Sequence, residues 1–246
     1  MSGHSHWATI KHKKGAADAK KGKLFSKIAR LIILAARQAG GDPKMNLKLQ
    51  YALDEARAAN MPKDNVERAI KRGTGELEGV SYEEVTYEGY GPGGVAFLVE
   101  ALTDNKNRSA AEIRKIFEST GGNLGTTGSV RRLFERKGLI RVPAAGVTED
   151  QLMSDVLDAG ADNMEKDGEF FEITTAVLDY DKVKKALEGK KYKIESSELG
   201  MIPSMSVPVD EEIGAKILRL MDGLDESDDV QKIYSNFELP ESLLKA

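Results

Sequence analysis

The chain has 246 residues, of which 40% are hydrophobic and 31% charged, and it contains no cysteine. This length predicts two or three domains, each with its own core, and the composition is typical of a folded protein and excludes wholesale disorder. The absence of cysteine excludes disulfides, thiolate metal sites and cysteine nucleophiles, and it fits a reducing compartment such as the cytoplasm.

Charge is distributed unevenly along the chain. Residues 1–75 hold 16 Lys and Arg against 6 Asp and Glu, whereas the other 171 residues hold 20 against 34. A basic end attracts polyanions, so a nucleic acid is the expected partner, while the acidic remainder repels one. No apolar run approaches the length that spans a bilayer, so no membrane partner is expected.

Three short helices are predicted within residues 1–78. Apolar residues at three- and four-residue spacings cover residues 23–39, and similar patterns follow Pro43 and Pro62. Three helices of this size form a small bundle.

Two groups of cations in this region are candidates for phosphate contact. The last turn of the third helix gathers Arg68, Lys71 and Arg72, which either offset the helix dipole or bind an anion. The other group precedes and enters the first helix. It consists of Lys11, Lys13, Lys14, Lys20, Lys23, Lys27 and Arg30.

The N-terminal tip combines rings with positive charge. His4, His6 and Trp7 lie next to the first lysines, so a ring can stack on a base while cations meet phosphate. The alternative is that Trp7 packs onto the bundle as part of its core. The histidines have no nearby cysteine or carboxylate to complete a metal site, so no metal is expected.

From residue 79 onward, strands alternate with helices. Residues 135–204 follow the order strand, helix, strands, helix, strand, which predicts a ferredoxin-like unit. Residues 79–134 lack a closing helix and strand, which residues 205–246 supply. The predicted fold class is α+β, with an N-terminal three-helix bundle (1–78), a discontinuous ferredoxin-like middle domain (79–134 and 205–246) and an inserted ferredoxin-like domain (135–204).

Some details of this α+β region are also predicted. A helix begins at Ser109 as its N-cap, and a strand over 129–136 turns at Lys137-Gly138 into the next strand. The acidic stretch 222–229 is interpreted as a solvated loop.

Two polar loops have alternative interpretations. The side chains of Asn105, Asn107 and Arg108 precede a helix, where capping is favoured over contact with RNA. The glycine-rich residues 121–129 either cradle an anion with backbone amides or form a flexible connection, and the connection is favoured.

No enzyme activity or cofactor is predicted. All three histidines lie in the first twelve residues, and the carboxylates show no paired spacing. The glycine spacing at residues 89–94 precedes a strand, whereas a dinucleotide site requires a helix there.

Seven motifs spread along the chain resemble those of the YebC/PmpR family. They occupy residues 3–7, 10–14, 22–27, 60–62, 88–94, 103–108 and 121–130. Because the motifs are long and keep their order along the chain, this resemblance is more specific than any single glycine pattern.

The resemblance implies a cytoplasmic protein of three domains, with the middle one closed by the C-terminal segment. It also implies a transcriptional regulator that binds promoter DNA. Relatives are also linked to translation, as mitochondrial translational activators and in the rescue of stalled ribosomes, so a factor that binds ribosomal RNA or the ribosome is the alternative. A monomer is expected.

Overall fold

A computed structural model describes residues 18–240 and Leu243, with side chains from residue 21 onward. The described residues fall into two compact units. The smaller unit consists of residues 132–206, and the larger one consists of residues 18–131 with those described from 207 onward. No helix in the described part of the chain is long and apolar enough to cross a membrane.

The larger unit begins with a three-helix bundle. Its helices are α1 (Asp18–Ala39), α2 (Leu47–Ala58) and α3 (Lys63–Thr74). Buried aliphatic side chains such as Ile32 and Leu49 form its core. Gly73 lets α3 approach α1 closely, because a Cβ at this position would lie only 2.6 Å from the carbonyl oxygen of Ile33.

The chain then forms the first part of an antiparallel sheet. Its elements are β1 (Glu83–Tyr90), β2 (Ala96–Thr103), α4 (Lys106–Ser119) and β3 (Asn123–Leu124). Strands β1 and β2 pair along their full length as a hairpin, and β3 pairs with the end of β1.

The smaller unit is a four-stranded antiparallel sheet with two helices. Its elements are β4 (Phe134–Pro143), α5 (Glu149–Ala159), β5 (Asn163–Asp167), β6 (Phe170–Thr175), α6 (Tyr180–Gly189) and β7 (Ser196–Pro203). The strand order β5-β6-β4-β7 is that of a ferredoxin-like unit.

The C-terminal segment completes the larger unit. It forms β8 (Val207–Pro208), α7 (Glu211–Glu226), β9 (Val230–Ser235) and β10 (Phe237–Glu238). Strand β9 pairs with β2, and the sheet order is β3-β1-β2-β9. Phe97 and Phe117 meet edge to face in the core between the sheet and α4, with ring centroids 5.7 Å apart.

The α+β fold class is confirmed, but some details differ from the predictions. The sheet of the larger unit does not have the ferredoxin-like order, because the consecutive strands β1 and β2 pair directly and occupy its centre. Strand β4 runs unbroken through Gly138. A Cβ at Gly138 would clash with the Thr175 hydroxyl and the Tyr180 ring, so this glycine serves close packing and not a turn.

Two predictions about helix ends were also wrong. Helix α4 begins at Lys106 after the N-cap Asn105, and Ser109 lies buried inside the helix. The acidic stretch 222–229 is not a solvated loop. Its first five residues end α7, and Asp229 is buried with only 3% of its surface exposed.

Candidate nucleic-acid interface

Helix α1 directs cations toward residues 225–229, named here the acidic segment. The Nζ of Lys23 donates to the carbonyl of Glu226 at 3.0 Å, and the Nζ of Lys27 donates to that of Asp225 at 2.8 Å. Both carbonyls lie in the last turn of α7, where a helix leaves its C=O groups without intrahelical partners. The two lysines therefore cap α7 and offset the negative end of its dipole.

Asp229 is the centre of this contact. Arg30 donates to one of its carboxylate oxygens at 2.7 Å, and Arg108 donates to the other at 3.0 Å. The hydroxyl of Thr103 donates to it at 2.9 Å. Arg30 also donates to the carbonyl of Asp228 at 2.7 Å, so one guanidinium joins α1 to two residues of the acidic segment. We name Lys23, Lys27 and Arg30 the engaged cations.

The buried carboxylate of Asp229 is stabilised in its ionised form. Burial raises the pKa of Asp229, but hydrogen bonds from Arg108, Arg30 and Thr103 outweigh burial and hold the pKa below its ordinary value. The same contact raises the pKa of Arg108, with a smaller contribution from Asp104. Three segments thus meet around one negative charge: α1 and α4 each contribute an arginine, and the end of β2 contributes the hydroxyl of Thr103.

The loop before α4 acts as a helix cap. The Oδ1 of Asn105 accepts from the backbone N–H of Arg108 at 3.1 Å, which confirms the capping interpretation for this residue. The guanidinium of Arg108 also contacts Asp104 at 2.7 Å. Asn107 is exposed.

Helix α3 presents a different set of cations. Arg68, Lys71 and Arg72 are all exposed and lie three and four positions apart, so they share one face of the helix. Within the described residues, their side chains make no ion pair or hydrogen bond. We name them the exposed triplet. Because the helix packs on α1 through its opposite face, around Ala69 and Gly73, the triplet lies on the outer side of the bundle.

The glycine-rich loop after β3 holds an anion that belongs to the chain itself. The backbone N–H groups of Gly128, Val130 and Arg131 donate to the carboxylate of Glu88 at 2.7–2.8 Å. Burial raises the pKa of Glu88, but these three donors outweigh burial, and the pKa lies below its ordinary value. The carboxylate of Glu88 therefore occupies the amide cluster, and these hydrogen bonds anchor the loop to β1.

The remaining candidates for phosphate contact lie outside the described residues. These are His4, His6, Trp7, Lys11, Lys13, Lys14 and the side chain of Lys20. Their assignment stays a prediction. Among the residues that the structure describes, no group of three His, Asp or Glu side chains is arranged to hold a metal ion.

The smaller unit has a groove of about 290 Å³ that is lined mainly by acidic and hydroxyl side chains. Its lysine, Lys137, is paired with Asp162 at 2.9 Å and with Glu135 at 3.3 Å. Carboxylates around a neutralised lysine repel phosphate, so this groove does not suit a nucleic acid.

Two family models together match nearly the whole chain. The model described as the TACO1/YebC protein N-terminal domain matches residues 5–76. The model described as the TACO1/YebC second and third domain matches residues 82–237. The chain belongs to the TACO1/YebC family.

Relatives in this family are similar over their full length. A protein of Dictyoglomus turgidum is 53% identical over all of this chain and 99% of its own, and one of Treponema pallidum is 52% identical over 99% and 100%. Both are named probable transcriptional regulatory proteins. The crystal structure of a conserved hypothetical protein from Aquifex aeolicus is 47% identical, with a TM-score of 0.86 over 96% of this chain and 97% of that one.

The relatives are thus named as regulators, and their names mention no enzyme activity. The TACO1/YebC models separate an N-terminal domain from the rest between residues 76 and 82, where α3 has ended and β1 has not begun. The exposed triplet and the engaged cations all lie on the N-terminal side of this boundary.

Asp229 and Glu88 are the residues that sequence reasoning missed. Each is a buried acid whose partners are far away in the chain, and Arg30 is 199 positions from Asp229. One local signal existed for Asp229, because it directly precedes Val230, the apolar residue that begins β9. That signal does not identify a partner.

Proposed function

We propose that this chain regulates gene expression by binding promoter DNA through its basic N-terminal part, residues 1–75. The observation that supports this most strongly is the exposed triplet, three cations on one helix face without an ion pair or hydrogen bond to any residue that the structure describes. The names of the relatives and the excess of cations in this part of the chain point in the same direction.

In this proposal, Arg68, Lys71 and Arg72 contact consecutive phosphates along one strand. Neutralising phosphates releases condensed counterions, which favours binding and makes it salt-dependent. The N-terminal cations add further phosphate contacts, and Trp7 or His6 stacks on a base. Phosphate contacts of this kind position the protein on its partner and carry no sequence information by themselves.

A second candidate is a translation factor that binds ribosomal RNA. The observation that favours it is the composition of the α3 face, where Asn65 is only half exposed and no other Asn or Gln is present to read a base edge. Recognition through shape and phosphate suits structured RNA.

We further propose that the working protein is a cytoplasmic monomer. Its three domains would be residues 1–78, residues 79–134 with 205–246, and residues 135–204. In the sequence, the residues that follow the basic bundle up to position 131 separate it from the acidic unit 132–206.

A competition experiment tests the proposed function. Labelled protein is offered a promoter duplex and intact ribosomes together at near-physiological salt, since charge alone predicts some binding to each at low salt. Retention on a specific duplex supports the transcriptional regulator. Transfer to ribosomes, with duplex binding fading as salt rises, supports the translation factor. Binding to neither contradicts both.

A further inference from the structure

The acidic segment offers α1 the same groups that a nucleic-acid backbone offers, which are oxygen acceptors near negative charge. Three of its main-chain carbonyls accept from the engaged cations at 2.7–3.0 Å. The carboxylate of Asp225 lies 3.6 Å from the Nζ of Lys27, and that of Asp229 lies 2.7 Å from Arg30. A phosphate backbone therefore competes for the same side chains.

The joint between the bundle and the sheet of the larger unit has a charged rim. Its sheet face also carries the buried apolar residues Leu98, Leu102 and Tyr234, which alternate along their strands with the residues packed against α4 and α7. The ion pairs Lys48–Glu84 and Lys232–Glu55 also cross the joint, at 3.5 and 4.0 Å on partly exposed side chains. The charges at this rim are screened by salt and respond to a competing polyanion.

External phosphate cannot reach all of the engaged cations while the joint is closed. The side chains of Lys27 and Arg30 are only 12% and 18% exposed. These two residues serve as phosphate contacts only after the acidic segment has withdrawn.

We propose that residues 225–229 act as an internal competitor for nucleic acid. In the free protein the acidic segment occupies the engaged cations, and a bound phosphate backbone displaces it and takes its place on α1. This inference rests on the proposed nucleic-acid binding and names its regulation. The exposed triplet makes the first contact, and displacement of the segment then adds up to three more phosphate contacts.

The consequence is a threshold for binding. A ligand must first open the joint. Its apparent affinity therefore equals its affinity for the open protein multiplied by the fraction of protein that is open. A partner with dense, correctly spaced phosphates makes enough contacts with the engaged cations to offset the free energy of opening. A short or sparse polyanion does not. The acidic segment would therefore favour an extended nucleic acid over other anions.

The test compares two variants with the same change in charge. In Asp225→Asn/Asp229→Asn the competitor is weakened, and in the control Glu118→Gln/Glu211→Gln two exposed acids of the same unit are neutralised. Binding of a labelled DNA duplex and of a labelled RNA hairpin is measured over a range of salt. We expect the first variant to bind about tenfold tighter than the control, with a salt slope steeper by about two to three units.

Two outcomes separate this inference from the proposed function. If the wild type binds and the two variants bind equally well, the acidic segment does not compete with nucleic acid, and the proposal of nucleic-acid binding stands. If the wild type binds neither nucleic acid, both proposals fail. Circular dichroism checks that each variant is folded, and Asp225→Asn alone repeats the test with Asp229 intact.

A direct readout uses the absence of native cysteine. Spin labels at Gln50→Cys on α2 and Ala215→Cys on α7 report the distance across the joint, and both positions are exposed. We expect saturating nucleic acid to lengthen or broaden this distance. An unchanged distance in a protein that has bound its nucleic acid overturns the inference.

Discussion

Helices α1 and α3 both carry basic residues, but the fold uses them differently. On α1, Lys23, Lys27 and Arg30 meet carbonyls and carboxylates of the acidic segment. On α3, Arg68, Lys71 and Arg72 face outward without a partner among the described residues. The comparison shows that the number of cations in a helix does not indicate how many can bind an external phosphate.

The largest expected effect is on stability, at Arg30. Replacing Arg30 by Ala leaves the buried carboxylate of Asp229 with fewer donors, and we expect the free energy of unfolding to fall by about 2–4 kcal/mol. The matched control is Arg37→Ala, an exposed position on the same helix, for which the expected change is within about 0.5 kcal/mol. Urea denaturation measures both. Equal effects would mean that Arg30 is not engaged in solution.

The next effect is on binding, at the exposed triplet. In Arg68→Ala/Lys71→Ala/Arg72→Ala we expect affinity for nucleic acid to fall at least tenfold and the salt slope to decrease by about three units. The free energy of unfolding changes little, since the three side chains have no ion pair or hydrogen bond with the described part of the chain. A control with three other exposed cations replaced, Arg114, Lys115 and Arg219, should bind as the wild type does. If both variants lost similar affinity, the effect would come from total charge and the exposed triplet would have no specific role.

A smaller effect on stability is expected at Glu88. Replacing it by Gln removes the negative charge that three backbone N–H groups share, and turns an amide NH₂ toward one or more of them. We expect a loss of about 1–3 kcal/mol in the free energy of unfolding. Hydrogen exchange at Gly128, Val130 and Arg131 should become faster. Unchanged protection at these amides would contradict the anchoring role.

Glu88 and Asp229 also make the free energy of unfolding depend on pH. The pKa values of Glu88 and Asp229 are lower in the folded state than their ordinary values of 4.5 and 3.8. Their contribution is therefore fully present above the unfolded values and is lost as the pH falls through the lower folded values. Acid unfolding of Glu88→Gln should show a weaker dependence on pH in this range than the wild type, and an identical dependence would contradict the assignment.

The smallest effect extends the comparison to the smaller unit, where Asp155 accepts from Lys190 at 2.5 Å and from the hydroxyl of Tyr192 at 2.7 Å. The hydrogen bond to Asp155, followed by burial, raises the pKa of Tyr192 to about 12. In Asp155→Asn we expect this pKa to move back toward its ordinary value of 10.0. Tyrosinate absorbance measures it, with Tyr192→Phe identifying the signal. A tyrosine that already titrates normally in the wild type would contradict the contact.

Local patterns predicted most of the secondary structure. Periodic apolar residues between Gly and Pro indicated the three bundle helices, and the element order of residues 135–204 indicated the ferredoxin-like unit. The errors came from glycines and acids whose roles are not local. Gly138 resembled a turn residue because its close contacts, Thr175 and Tyr180, are about 40 positions away. The acidic stretch resembled a loop because the cations that contact it belong to α1 and α4, which are more than 100 positions away in the chain.

The amino-acid sequence by itself determined the basic N-terminal end, the α+β class, the family and the helices that carry the cations. Periodicity, capping and composition act over a few residues and are therefore visible in the chain. Only the tertiary structure decided which cations remain available, since that depends on whether a carboxylate or carbonyl from a distant segment lies within hydrogen-bond distance. Arg30 and Arg72 are the same residue type on neighbouring helices, and they differ because Asp229 folds against one of them.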